Sequence, residues 1–214
     1  MKIAIVTANL GGIDEVLPIP RQSIECDFFH YNESNLPWPL TNLDNRLKAK
    51  YIKLRTHRVL PGYDAYIWID GRVEIVSPYF AEEKIKELHG YQMAIFKHRL
   101  RNNPFEELQY ILDQIRKGNG YFINRYAQQP MLEEYVFCEQ EKMPADFPLF
   151  WCGLFSRRNN AVMNSFFDEW WNKCIEFSTF DQALFSYLVW KERIGLNILQ
   201  LPCESFKINR HKTG

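Results

Sequence analysis

The chain has 214 residues, enough for one well-buried domain with insertions, and it is read as a single domain over residues 1–214. Lys plus Arg equal Asp plus Glu at 26 each, so no global basic field marks a nucleic-acid partner, and any anion site has to be a local arrangement. Hydrophobic residues at 46% and charged residues at 24% are ordinary for a globular protein, whereas 15% aromatic residues is high and suits a site that holds flat sugar or base rings.

The first element expected is a continuous apolar strand, Lys2 to Ala8, followed by Asn9-Leu-Gly-Gly12, a turn that lets backbone approach a ligand. A second strand is read over Ser23 to Tyr31, and Asn35 to Thr41, with Pro37 and Pro39, as loop. Asn42 to Arg58 reads as one helix: Leu43, Leu47, Tyr51 and Leu54 fall at helical spacing, and Arg46, Lys50, Lys53 and His57 form a separate basic stripe. Asp64 to Asp70 is strongly apolar and reads as a central strand covered on both faces.

Ser77-Pro78 predicts a helix start, with the helix reaching about Leu88, and Gln92 to Phe96 another strand. Asn103-Pro104 with Glu106 and Glu107 opens a helix to about Lys117. Further helices are expected over Pro130 to Cys138 and Ala161 to Ile175, with a strand over Leu149 to Ser156 between them. Thr179-x-x-Gln182 has the pattern of a capping box opening a helix over Phe180 to Arg193, stopped by Gly195. A last strand spans Asn197 to Leu201, and the tail beyond Pro202 reads as irregular. Strands alternating with helices make the class α/β with a mainly parallel central sheet flanked by helices.

The cysteines Cys26, Cys138, Cys152, Cys174 and Cys203 are scattered with no CxxC pair, which signals neither a zinc site nor a disulfide framework and suits reduced thiols. The apolar run at Met1 to Val6 is too short for a signal peptide, and no stretch approaches the roughly 20 apolar residues of a membrane span. The expectation is a cytoplasmic protein with no transmembrane segment.

In open α/β sheets ligands bind beyond the carboxyl ends of the strands. Three features should gather there: Thr7 to Gly11, Asp70-Gly71-Arg72, and the segment after Leu149-Phe-Trp151-Cys-Gly153. An acid ending an apolar strand has to be solvated, paired or bound to metal, so Asp70 is either a functional carboxylate or one that pairs with a structural arginine or caps a turn. The basic stripe offers cations to a diphosphate if it faces those strand ends, and is a solvated helix face if it does not. Asp181, in a first helical turn, is a general base, an acceptor-orienting residue or a carboxylate suited to the helix dipole. His211 is an exposed tail residue or a metal ligand.

The ordered run Arg46-x3-Lys50-x2-Lys53-x3-His57, Pro61-x2-Asp64 and Ile67-Trp-Ile-Asp-Gly71 resembles a glycosyltransferase-like family, long a domain of unknown function, that includes plant mucilage and cell-wall proteins and bacterial homologues. His98-x2-Arg101 with Glu106-Glu107, Phe155-x2-Arg158, Trp170-Trp171 and Phe180-Asp-Gln-Ala-Leu-Phe-Ser186 extend the similarity, with Thr7 and Ile13-Asp14 at its opening. It covers roughly residues 3 to 193. The resemblance implies a GT-A fold and transfer of a sugar from a nucleotide-sugar donor to a glycan or other hydroxyl acceptor. On it, Thr7, Asn9, Arg46, Lys50, Lys53, Asp70 and Arg72 serve the donor, and His98, Arg101, Trp151 and Gly153 the substrate. Asp181 and Gln182 are catalytic, and Asp70 with His211 holds a divalent cation, Mn or Mg. The acidic motif departs from the family's usual form, because Arg72 stands where a second carboxylate belongs: either Arg72 itself meets the diphosphate, which weakens or abolishes metal dependence, or Glu74, two residues on, is a substitute. That departure motivates one alternative, a non-catalytic protein binding a nucleotide sugar or carbohydrate; another is a nucleotidyltransferase, whose chemistry also uses a metal on an α/β sheet.

Overall fold

The computed structural model describes residues 1–15, 17–37 and 40–210. In chain order the first elements are β1 (Ile3–Ala8), β2 (Asp27–Tyr31), α1 (Asn45–Leu54), α2 (Thr56–Val59), β3 (Ala65–Ile69), β4 (Val73–Ile75) and α3 (Phe80–Lys86). They are followed by β5 (Met93–Lys97), α4 (Pro104–Arg116), α5 (Gly120–Tyr126), α6 (Met131–Gln140) and β6 (Phe150–Arg158). The chain continues through α7 (Ala161–Glu176), α8 (Asp181–Glu192), β7 (Leu196–Leu199) and β8 (Phe206–Ile208). Six strands form a sheet in the order β2-β1-β3-β6-β5-β7, and β4 pairs with β8 in a separate two-stranded ribbon.

Every residue of β1 and β3 is buried, as continuous apolar runs require of strands covered on both faces. Alternation sends Ala4, Val6, Tyr66 and Trp68 to one face, where α7 and α8 supply Phe166, Trp170 and Phe185. Ile3, Ile5, Ile67 and Ile69 go to the other, against Phe80 of α3 and Phe206 of β8. The sheet is mostly parallel: β2, β1, β3, β5 and β7 run one way and β6 alone runs against its neighbours β3 and β5.

The direction of β6 matters for the site. Its first residues, and not the segment after Gly153, lie at the carboxyl ends of the other strands, which corrects the sequence expectation. There the pairing with β5 jumps from Ile95↔Phe155 to Phe96↔Trp151, so Cys152, Gly153 and Leu154 bulge from the ladder. The bulge stays joined to β3, through Ile69↔Leu154 and the Asp70 N–H donating to the Gly153 carbonyl at 2.8 Å.

Several local expectations change. The helix expected over Asn42 to Arg58 starts at Asn45, with Asp44 accepting from the Leu47 N–H at 2.9 Å, and breaks at Arg55 into α1 and α2. The second strand is only Asp27–Tyr31. Ser77 accepts from the Tyr79 N–H in a turn, and α3 begins at Phe80 without a side-chain cap. The capping box at Thr179 does not form: Phe180 is the N-cap without a side-chain bond, while the side-chain carbonyl oxygen of Gln182 accepts from the Cys152 N–H at 3.4 Å. α8 stops at Arg193, which takes φ 55° two residues before Gly195. The tail is not irregular, since β8 pairs with β4; α5 and β4 had no counterpart in the sequence reading.

Candidate active site

Lys50 and Lys53 lie three residues apart on α1 and so share one face. That face meets the N-terminus of α8, and both ammoniums reach Oδ2 of Asp181 at 2.6 Å. Asp181 is 4% exposed and its main-chain carbonyl accepts from Trp170 Nε1 at 2.9 Å. Burial alone would raise its carboxyl; Lys50 and Lys53 reverse this and hold it at about 2. Burial likewise opposes the charge on Lys53, but Asp181 and Asp70 together raise its pKa, so the buried ammonium stays charged. It lies under 6 Å from the rings of Trp68, Phe155 and Trp170.

Asp70 follows β3 at the strand ends. Its Oδ1 accepts from Trp68 Nε1 at 2.8 Å and lies 3.9 Å from Lys53 Nζ, and its side chain keeps 38% exposure. A turn from the Asp70 carbonyl to the Val73 N–H, 2.9 Å, carries Gly71 and Arg72. A Cβ at Gly71 would fall 2.6 Å from Asp14 Oδ2, so glycine there lets Asp14 close over the turn. Asn9 fixes that loop, donating from Nδ2 to the Asp14 carbonyl at 2.7 Å and accepting from its N–H at 3.2 Å.

Two adjoining chambers open at these strand ends. The first, about 180 Å³, is lined by Asn9, Asp14, Arg46, Lys53 and Trp68 among others. The second, about 320 Å³, is lined by Arg72, His98, Glu107, Trp151, Gly153 and Gln182 with the aromatic residues Tyr121, Phe122 and Phe180. Lys50, Asp70, Arg125 and Tyr126 belong to both, and form the boundary between them.

The expected site residues therefore divide. Asn9, Arg46, Lys50, Lys53, Asp70, Arg72, His98, Trp151, Gly153 and Gln182 line this double cleft, and Asp181 anchors it from behind. Arg46 spends its guanidinium on the carbonyls of Arg125 and Asn124, at 2.7 and 3.1 Å, tying α1 to α5. Thr7 is turned to the other sheet face, in a neighbouring pocket of about 30 Å³ with His30 and Gly71. Arg101 turns to α4, 3.2 Å from Glu107 and 4.0 Å from the Tyr110 ring centroid. His57 leaves the stripe where α1 breaks. Its ring lies between Arg157 and Asp168 at 3.2 and 3.3 Å, and burial, with Arg157, lowers it to about 4.

His98 accepts from the Arg101 N–H at 3.0 Å, and burial followed by Arg101 lowers its pKa. Glu74 is taken up by Asn209 at 3.1 Å on the β4–β8 ribbon and is not the substitute for a second acid beside Asp70. His211 lies outside the described residues. The sequence reading missed Arg125 and Tyr126, because α5 was not assigned. Gly118-Asn119-Gly120, where Asn119 caps the helix through the Tyr121 N–H, was the available signal.

The TOD1/MUCI70 glycosyltransferase-like domain model matches residues 35–210. The chain belongs to that family. The family's fold here is GT-A-like. A similar solved structure is mouse xyloside xylosyltransferase 1 in its apo form, with TM-score 0.51 and 9% identity over 93% of this chain and 85% of that one. A glycosyltransferase involved in glycosylation of the PBCV-1 major capsid gives TM-score 0.44 and 10% identity over 92% of this chain and 81% of that one. Core-mannan synthase A from Aspergillus fumigatus, in a Mn/GDP form, gives 0.42 and 8% over 99% and 76%. The last two add no weight at such scores. No curated protein matches the chain in sequence. Among the described residues of this TOD1/MUCI70 domain, no helix is long and apolar enough to cross a membrane.

Proposed function

We propose that this TOD1/MUCI70 domain moves a sugar from a nucleotide-sugar donor to a hydroxyl of a glycan or other acceptor. The observation that carries this is the double cleft: a cation-rich chamber and an aromatic-rich chamber meeting at Lys50, Asp70, Arg125 and Tyr126. Cations suit a diphosphate, and ring faces beside fixed polar groups suit a sugar. The nucleotide occupies the first chamber, the transferred sugar lies at the boundary, and the acceptor enters the second.

In the transfer the acceptor oxygen bonds to the anomeric carbon. The carbon–oxygen bond to the diphosphate breaks, its electron pair stays on the diphosphate, and the hydroxyl proton passes to that oxygen or to water. Negative charge grows on the leaving diphosphate, where preorganised cations stabilise it most. Asp70 orients the donor sugar, and Gln182, Trp151 and Gly153 shape the acceptor side. Asp181 is an anchor for two lysines and not a base: a carboxyl held at about 2 is far from the neutral range in which proton abstraction is efficient.

Among the described residues, which leave out His211, the family's implied divalent cation meets a poor donor set. Asp70 already accepts from Trp68 and faces Lys53, and among the described residues no three His, Cys, Asp or Glu side chains gather to hold a metal.

Calorimetry and turnover with UDP-, GDP- and CMP-sugars test the proposal. One donor should bind and be hydrolysed or transferred, and Asp70→Ala should abolish this in a folded protein. Binding of none, with or without Mn, would overturn it. Pyrophosphate release from a nucleoside triphosphate would point instead to nucleotidyl transfer.

A further inference from the structure

Two ammoniums converge on a single oxygen, Asp181 Oδ2, each at 2.6 Å, and their surroundings differ. Lys53 has 3% side-chain exposure and a second carboxylate, Asp70, at 3.9 Å. Lys50 keeps 21% exposure and lines both chambers. With Asp70 as its second partner Lys53 is internally compensated, whereas Lys50 shares Asp181 and is the ammonium of the pair that faces the cleft, where Arg125 and Arg72 add further positive charge. The position of Lys50 is not that of a free surface lysine, because Asp181 fixes the ammonium before any ligand arrives.

A divalent cation would have to enter the same space. Asp70, the acid that should receive it, has Oδ1 bonded to Trp68 and turned to the Lys53 ammonium. Arg72 occupies the place of the motif's second acid and lines the second chamber. Arg125 lines both chambers and has its guanidinium carbon 4.6 Å from the Tyr121 ring centroid, which fixes a further positive plane there. Adding a dication to this group brings like charges together, whereas adding a diphosphate brings opposite ones.

We infer that the donor's diphosphate is held by side-chain cations in place of a divalent metal, with the Asp181-positioned Lys50 ammonium as the principal contact, Arg125 sharing the boundary between the chambers with it, and Arg72 on the second-chamber side of that boundary. This rests on the donor-site assignment above and goes beyond it in naming what neutralises the phosphates. Lysine acts here as a point charge directed by its partner; a guanidinium at the same position keeps the charge with different geometry.

Calorimetry with UDP and GDP, each in EDTA and in excess MnCl₂, tests it on wild type, Lys50→Met and Lys50→Arg. Circular dichroism confirms folding, and Lys50→Arg guards against a mere packing defect. One nucleotide should bind wild type with the same Kd in EDTA and in Mn. Lys50→Met should weaken it about thirtyfold and Lys50→Arg by less than about fivefold, as expected when one charge-assisted contact is lost or replaced. Affinity should also fall as salt is raised. Binding that requires Mn overturns the inference, as does EDTA-insensitive binding that Lys50→Met leaves unchanged; in both cases the donor site stands. Failure of both nucleotides under both conditions overturns the donor site itself, and this inference with it.

Discussion

Asp181→Asn is the substitution whose effect the geometry defines most directly. It removes the one carboxylate within 2.6 Å of both Lys50 and Lys53, and leaves the Lys53 ammonium, with 3% side-chain exposure, facing only Asp70 at 3.9 Å. Breaking a buried pair by deleting one partner costs about 3–5 kcal/mol. A second figure comes from the carboxyl, brought from 3.8 down to about 2, which at about 1.4 kcal/mol per pKa unit is on the order of 2 kcal/mol. Since Asp70 retains part of the compensation, the expected loss is about 2–4 kcal/mol, or roughly 4–16 °C in Tm for a chain of this size.

The substitution also has a pH signature. A carboxyl lowered on folding contributes stability that is complete above its unfolded value of 3.8 and is lost as pH falls through about 2. Urea unfolding of wild type and Asp181→Asn should therefore differ most at pH 5–7 and converge towards pH 2. Lys50→Met, which leaves Asp181 paired with Lys53, should cost less, about 1 kcal/mol. A loss under about 0.5 kcal/mol for Asp181→Asn, or a gap that does not narrow in acid, would refute the account of Asp181 as the anchor of two charged lysines.

Three further outcomes are expected. Gly153→Ala places a Cβ 2.5 Å from the Trp151 ring, so Trp151 must shift; a loss of about 1–3 kcal/mol in melts, with a changed tryptophan emission, checks this. Arg46→Ala removes the guanidinium from the carbonyls of Asn124 and Arg125, and should speed amide exchange across α5 about tenfold while β1 and β3 keep their protection. Burial pushes the Glu134 carboxyl up from 4.5 to about 8, so the folded state holds a proton the unfolded chain gives up, and stability falls as pH rises from about 4.5 to about 8. Glu134→Gln removes that titration: it should flatten the pH dependence of urea unfolding and gain about 1 kcal/mol or more over wild type at pH 8. A variant no more stable than wild type at pH 8 counts against a protonated Glu134.

The buried strands were legible because β1 and β3 are short runs, apolar at nearly every position, rich in β-branched and aromatic residues and bounded by turn signals, which together favour a strand over a buried helix. The Asn103 cap was legible for the same local reason, with its side chain accepting from the Glu106 N–H at 2.9 Å. The local signals that failed were overridden by distant partners. Gln129, not Gln182, takes the Thr179 N–H at 2.6 Å, and Glu134 accepts from the Ser178 hydroxyl at 2.5 Å, so α6 and its approach hold the turn before α8. β4 and β8 escaped notice because each has only three residues and is defined by the other, more than a hundred positions away.

The site shows the same division between local and distant causes. Spacing alone put Arg46, Lys50, Lys53 and His57 on one stripe, but spacing holds only while the helix continues. The break at Arg55 sends His57 to Asp168 and Arg157, and Arg46 is drawn to the carbonyls of α5, so the two middle lysines alone meet Asp181. The role of Asp181 was open for a related reason. A carboxylate in a first helical turn can be base, cap or anchor, and the choice depends on what charge lies opposite it. That charge comes from residues 128 and 131 positions earlier in the chain, brought there by the packing of α1 against α7 beside α8. Two ammoniums on one carboxylate favour the anchor among these readings, and they bring Lys50 and Lys53, out of a stripe that could have been merely solvated, to the wall of the cleft.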